Sequence, residues 1–120
     1  MSYRILLVDD ALVIRLMLTK ILTPAGYIIA GEAGDGLEAV EKYKKLKPDL
    51  VTMDLTMPKM SGIDAVRAIK AYDPAARIIM CSAMGQESMV REAIEAGALS
   101  YIIKPFNREK VLAAVAAALR

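Results

Sequence analysis

Five short runs of β-type apolar residues recur along the chain, at residues 4–8, 27–31, 50–53, 77–81 and 99–103. Near-continuous apolar runs of this length are typical of strands that are buried on both faces of a parallel sheet. Segments with helical spacing of apolar residues separate the runs. Regular β–α alternation implies parallel strands that are joined by right-handed crossovers, with helices on both faces. We therefore predict an α/β fold with one doubly wound, five-stranded parallel sheet and five helices.

Proline and glycine residues mark the ends of the predicted helices. We predict helices over residues 11–22, 87–96 and 107–119, and two more between residues 36 and 48 and between residues 62 and 74. Gly97 has the position of a C-terminal cap for the fourth helix. The apolar spacing in that helix predicts that its buried residues are Met89, Val90, Ala93 and Ile94.

Polar side chains follow four of the apolar runs. Asp9 and Asp10 come after the first run, Asp54 after the third, Ser82 after the fourth and Lys104 after the fifth. Open α/β sheets bind ligands at the carboxyl ends of their strands, and in the flavodoxin-like strand order 2-1-3-4-5 the first and third strands are neighbours. Three carboxylates, a hydroxyl and an ammonium are therefore expected at one edge of one sheet.

This set of groups is suited to a phosphoryl group and a metal ion. Mg²⁺ is commonly bound by one or two carboxylates together with waters and phosphate oxygens. Three acids this close together would repel one another unless a cation neutralised them or one of them took up a proton. A phosphoryl group on Asp54 would need a counter-charge, which Lys104 can provide, and Ser82 can donate a hydrogen bond.

The composition excludes several classes of function. The net charge of +2 argues against a nucleic-acid partner, and the single cysteine, Cys81, excludes an internal disulfide. The chain has no histidine, so a phosphohistidine donor must be another protein. The longest apolar stretch, residues 111–119, is too short to span a bilayer, so membrane insertion is not expected. We expect a cytoplasmic protein that forms one domain over residues 1–120 without an output domain.

Four motifs together resemble the receiver domain of two-component response regulators. They are VDD at residues 8–10, MDLTMPKMSG at 53–62, CSAMG at 81–85 and KPF at 104–106. The resemblance covers essentially the whole chain. Among receivers, the stretches around the second and third motifs are most similar to stand-alone chemotaxis receivers.

The resemblance implies a role for each residue of the site. Asp54 would be the phosphoacceptor, and Mg²⁺, for which Mn²⁺ would substitute, would be held by Asp9, Asp10, Asp54 and the backbone carbonyl of Thr56. The other implied roles are phosphoryl contact for Ser82 and Lys104, conformational switching for Ser82 and Tyr101, and a cis peptide bond before Pro105.

The resemblance also implies partners. A histidine kinase would donate the phosphoryl group. The face formed by helix 4, strand 5 and helix 5 would then change conformation and bind a target, the flagellar motor switch. We further expect a phosphatase partner, a monomeric or weakly dimeric state and no conventional substrate turnover.

Thr56 and Met84 stand where the best-known enterobacterial pattern has asparagine and an acidic residue. Both would border the water that attacks the phosphoryl group, so they bear on the lifetime of the phosphorylated state.

The same sequence is open to other functional interpretations. The chain could be the receiver module of a larger or non-chemotaxis regulator, or a small phosphotransferase that forms an aspartyl-phosphate. Its length leaves no room for a cap over a substrate pocket, which argues against the enzyme. A flavin or nucleotide binder is disfavoured because the first turn, Asp9-Asp10-Ala11, is acidic where a phosphate-cradling loop needs glycine.

Overall fold

The computed structural model describes residues 2–120, which form five parallel strands in the order β2-β1-β3-β4-β5. The predicted fold class and strand order are therefore confirmed. The strands are β1 (Arg4–Val8), β2 (Ile28–Ala33), β3 (Leu50–Asp54), β4 (Ile78–Ser82) and β5 (Ser100–Ile103). The helices are α1 (Leu12–Leu22), α2 (Gly36–Leu46), α3 (Gly62–Tyr72), α4 (Glu87–Ala96) and α5 (Arg108–Ala118), and a short 3₁₀ helix, Thr23–Ala25, follows α1.

Two apolar cores lie on opposite faces of the sheet, because successive side chains of a strand point to opposite faces. On β1, Leu6 and Val8 belong to the core under α2, α3 and α4, whereas Ile5 and Leu7 belong to the core under α1 and α5. The central strands β1, β3 and β4 are buried almost throughout. This double covering explains why their sequences are apolar without alternation.

The strand registers bring the polar strand ends into one row. Asp54 is paired with Cys81 across β3 and β4, and Ser82 is paired with Ile103 across β4 and β5. Asp54 and Ser82 are themselves the last residues of their strands, one residue later than the sequence predicted. The run of apolar residues ends one position before the hydrogen-bonded strand does, because the backbone hydrogen bonds between strands do not depend on the type of side chain.

The edge strand β5 and helix α4 are less buried than the sequence predicted. The expected burial of Ile94 is wrong, since its side chain is 39% exposed. Tyr101 and Ile103 lie on the same face of β5 and are 49% and 48% exposed, because α4 leaves this end of the sheet partly uncovered. Gly97 does cap α4, with φ of 122°. Within residues 2–120 we find no helix with the length and apolar character needed to cross a membrane.

Candidate functional site

Three carboxylates converge at the carboxyl ends of β1 and β3. Asp9 and Asp54 are buried, whereas Asp10 is exposed, and one carboxylate oxygen of each lies within 4.8 Å of the others. The strand order explains this arrangement, since β1 and β3 are hydrogen-bonded neighbours with Val8 beside Met53. The predicted proximity of Asp9, Asp10 and Asp54 is thus present in the structure.

The Asp54 carboxyl is a weaker acid than an ordinary aspartate. Burial, together with the neighbouring charges of Asp9 and Asp10, raises the pKa of Asp54 to about 6 against the opposing effect of Lys104. Removing a carboxylate from water disfavours its charged form, and like charges act in the same direction. In the metal-free protein, Asp54 therefore ionises within the neutral range and not well below it.

Lys104 lies between two of the carboxylates. Its ammonium donates to Asp9 Oδ2 at 2.8 Å and to Asp54 Oδ1 at 3.2 Å. Partial burial acts to lower the pKa of Lys104, but its hydrogen bonds and attraction to Asp9 and Asp54 outweigh burial and raise that pKa above its usual value. The ammonium is therefore charged at neutral pH, and it supplies the positive charge that this cluster requires. The peptide bond from Lys104 to Pro105 is cis.

Ser82 and Tyr101 occupy adjacent strands beside this cluster. Ser82 is buried at the end of β4, and its carbonyl accepts a hydrogen bond from the Lys104 backbone N–H at 2.7 Å. Tyr101 points away from the interior and lines a groove of about 480 Å³ between α4 and β5, together with Ser82 and Ile103. The groove offers space beside the tyrosine ring, and its wall includes the end of β4.

Thr56 is in the loop that leaves β3. The loop returns to the strand end at Gly62, whose N–H donates to the Leu55 carbonyl at 2.8 Å. A Cβ atom on Gly62 would lie 1.9 Å from the Asp54 carbonyl oxygen, so no other residue fits at this position. The loop that carries Thr56 is therefore packed directly against the backbone of Asp54.

The donor atoms fit a hard divalent cation such as Mg²⁺. Carboxylate oxygens are the ligands that Mg²⁺ prefers, and the Asp9, Asp10 and Asp54 oxygens already converge on one small region. A cation there would relieve the repulsion that raises the Asp54 pKa. The ligand role of Thr56, the phosphoryl contacts of Ser82 and Lys104 and the switching roles of Ser82 and Tyr101 stay predictions.

Two polar residues that support the site were missed by the sequence analysis. Arg15 on α1 donates to the Asp9 carbonyl at 2.6 Å and pairs with Glu32 on β2 at 2.7 Å. Gln86 accepts from the Ala83 N–H at 2.7 Å, which ties down the turn after Ser82. No local pattern identifies either residue, because each contact depends on tertiary packing or on the conformation of a turn.

Comparisons with known proteins agree with this geometry. Residues 5–116 match the model of the response regulator receiver domain. The chain is 60% identical to the chemotaxis protein CheY of Thermotoga maritima and 56% identical to that of Bacillus subtilis, with 96% of each chain covered in both cases. These matches confirm the resemblance that the four motifs indicated.

A solved structure adds a likeness in three dimensions. It is the CheX–CheY–BeF3–Mg complex of Borrelia burgdorferi. The matching chain in that structure is 42% identical to this chain and superposes on it with a TM-score of 0.94. The match covers 98% of this chain and 90% of that one. That structure pairs a receiver of the same fold with magnesium. The chain therefore belongs to the response regulator receiver family.

Proposed function

We propose that this chain is a phosphoacceptor signalling protein of the CheY type, which takes a phosphoryl group from a histidine kinase onto Asp54. The main support for this proposal is the environment of the Asp54 carboxylate. It is buried at a strand end, lies beside two further carboxylates and is 3.2 Å from the Lys104 ammonium. Because the chain contains no histidine, a phosphohistidine that donates the phosphoryl group must lie on a separate protein.

In the transfer, a carboxylate oxygen of Asp54 forms a bond to phosphorus while the phosphorus–nitrogen bond of the donor phosphohistidine breaks. Such transfers require positioning and neutralisation of the equatorial oxygens more than covalent assistance. Asp54 attacks in its ionised form, which becomes the major form above pH about 6 in the metal-free protein. Lys104 then turns from the carboxylates to the phosphoryl oxygens. Mg²⁺, held by Asp9, Asp10, Asp54 and the Thr56 carbonyl, would supply further positive charge when bound.

Phosphorylation would change the populations of two conformations. Ser82 would donate to a phosphoryl oxygen, and the turn after it, now held by Gln86, would move with it. Tyr101, half-exposed here, would then turn into the groove between α4 and β5. A ligand or modification can shift such an equilibrium only through contacts that differ between the two states. Ser82 provides that differential contact.

The surface that would report the switch is formed by α4, β5 and α5. It exposes apolar side chains, among them Ile94, Tyr101 and Ile103. By similarity to the CheY relatives, we propose the flagellar motor switch as its target and a phosphatase as a further partner. We also propose that residues 1–120 act as a single receiver in the cytoplasm, without turnover of a separate substrate.

The phosphoacceptor role is tested by intact-mass measurement with Mg²⁺ and a small acyl-phosphate donor. Wild type is expected to gain one phosphoryl group, because its Asp54 is the buried carboxylate beside Lys104. Asp54→Asn should gain none, and Asp64→Asn, which changes an exposed aspartate on α3, should behave as wild type. An unmodified wild type that also fails to bind Mg²⁺ would refute the proposal.

The target surface is tested on the alanine-rich helix α5. Ala114 lines the space between β5 and α5, and Ala117 is exposed one turn further along. A charged side chain on this face should impair apolar contact with the motor switch protein, so Ala114→Glu and Ala117→Glu are expected to weaken binding of the phosphorylated protein. Ala116→Glu, on a different face of the helix, is the control. Unchanged affinity in both test variants would exclude α5 from the interface, and phosphorylation of all three should be normal.

A further inference from the structure

The loop that carries Thr56, residues 55–61, is held by the turn that leads into α2. This turn, residues 34–36, follows β2, ends at the first residue of α2 and lies about twenty positions earlier in the sequence. The Gly36 N–H donates to the Met60 carbonyl at 3.2 Å. The loop is therefore attached to a second element, in addition to its covalent link with Asp54.

The contact at Gly36 leaves no space for a side chain. A Cβ atom at this position would lie 2.4 Å from the Met60 carbonyl oxygen and 2.7 Å from the Met60 Cβ. Real Cβ atoms essentially never approach another atom closer than 3.0 Å. The 2.4 Å contact is to backbone, which cannot rotate away, so any larger residue at Gly36 must move the loop and the start of α2 apart.

An ion pair and a strained residue lie next to this contact. The Lys59 ammonium is 3.8 Å from Asp35 Oδ2, and Asp35 also caps α2 by accepting from the Glu38 N–H at 2.8 Å. Lys59 has φ of 68°, in the left-handed region that residues other than glycine seldom adopt. Such a conformation persists where the surrounding structure enforces it, and it is frequent near functional sites.

The other end of the loop is equally constrained. Gly62 packs on the Asp54 carbonyl, as described above, so the chain path from Asp54 to Gly62 is fixed at both of its ends and at Met60. Thr56 lies inside this closed path. The position of its carbonyl relative to the Asp54 carboxylate therefore depends on where residue 36 holds Met60.

We propose that Gly36 is a positioning residue for the metal site, and that Asp35 assists it through Lys59. Gly36 fixes the loop so that the Thr56 carbonyl faces the same ion as the three carboxylates. This inference rests on the proposed function, since it assumes that Mg²⁺ binds at Asp9, Asp10 and Asp54. It assigns part of the Mg²⁺ affinity to a residue that makes no contact with the ion.

The test compares Gly36→Ala with Gly34→Ala. Gly34 lies in the same turn, but the nearest atom to a Cβ there is Glu38 Oε1 at 3.8 Å, so this alanine fits without displacement. Calorimetric titration with Mg²⁺ gives the dissociation constant of each variant. Loss of an outer-shell support typically weakens metal affinity by at least tenfold, so we expect about a tenfold weaker Mg²⁺ affinity in Gly36→Ala and no change in Gly34→Ala.

Urea unfolding with and without Mg²⁺ separates positioning from a merely structural role. A positioning residue reduces the stability that Mg²⁺ adds, because that gain depends on the ratio of Mg²⁺ concentration to dissociation constant. A structural residue would lower stability equally in both conditions. Gly36→Ala with reduced stability but wild-type Mg²⁺ affinity would overturn the inference. Wild type that binds no Mg²⁺ would instead refute the proposed function.

A second pair of variants applies if Gly36→Ala does not fold. Lys59→Val and Lys59→Gly both remove the exposed cation, but a β-branched residue strongly disfavours the φ of 68° that glycine adopts readily. We expect Lys59→Val to bind Mg²⁺ about two- to fivefold more weakly than Lys59→Gly, because the strained valine shifts the loop beside Met60 that Gly36 holds. Equal affinities in this pair would overturn the inference.

Discussion

Replacing Lys104 with methionine is expected to destabilise the metal-free protein by on the order of 2–4 kcal/mol near pH 8. Breaking a buried ion pair by removing one partner leaves an uncompensated charge, which typically lowers stability by about 3–5 kcal/mol. The lower range applies here because the Lys104 side chain is 22% exposed. Its loss leaves the buried carboxylates of Asp9 and Asp54 without the cation that lies between them.

Urea unfolding in the presence of a chelator measures this effect. Lys110→Met is the matched control, because Lys110 is an exposed lysine on α5 near the same site, and it should change stability little. Added Mg²⁺ should restore more stability to Lys104→Met than it adds to wild type, since the variant has the greater deficit of positive charge. Equal destabilisation by the two substitutions would show that Lys104 is not the counter-ion of the cluster.

Replacing Asp54 with asparagine is expected to have the opposite effect. Burial and neighbouring acids raise the pKa of Asp54 to about 6, from an ordinary value of 3.8. A carboxyl group whose pKa is higher in the folded state adds stability below its unfolded pKa and loses that contribution as the pH rises through its folded pKa. Each pKa unit corresponds to about 1.4 kcal/mol, so Asp54→Asn should stabilise the metal-free protein by about 2–3 kcal/mol at pH 8.

The pH dependence of the stability of Asp54→Asn distinguishes an effect of the raised Asp54 pKa from a general gain in stability. The advantage of Asp54→Asn over wild type should be greatest at pH 8, shrink through pH 6 and be close to zero at pH 4, where the wild-type carboxyl is protonated. Unfolding curves at a series of pH values, with a chelator present, measure it. Glu41→Gln, which neutralises an exposed acid on α2, should follow wild type. A stability difference for Asp54→Asn that does not vary with pH would contradict the raised pKa.

Together these two substitutions describe a site that is unfavourable for folding until a cation neutralises it. Asp54 is retained although an uncharged side chain would be more stable, and Lys104 only partly offsets the charge that surrounds it. Conflicts of this kind between stability and local chemistry are expected at functional sites. They also explain why Mg²⁺ and a phosphoryl group can alter the conformation of this region, because both change the same local charge balance.

Much of the site could be predicted from the sequence. Asp9, Asp10, Asp54 and Lys104 follow apolar runs, and the parallel fold places all such positions at one edge, so their proximity required no knowledge of the side-chain packing. Burial was predicted less well. Ile94 has the spacing of a core residue, yet it is half-exposed because β5 is an edge strand that α4 does not fully cover. Periodicity identifies which face of a helix is apolar, but the neighbouring elements determine whether that face is covered.

The sequence by itself determined the α/β fold class and the residues that supply the chemistry, because these follow from apolar periodicity and from the residue types at strand ends. The strand order is that of a known doubly wound fold, and periodicity alone does not specify it. Only the tertiary structure showed that Lys104 bridges Asp9 and Asp54, that Arg15 holds the Asp9 carbonyl and that Gly36 admits no side chain. The physical reason is the range of the interactions. Periodicity is a local property of the chain, whereas distances of a few ångströms between remote residues, and the pKa shifts that depend on them, are set by how the folded elements pack.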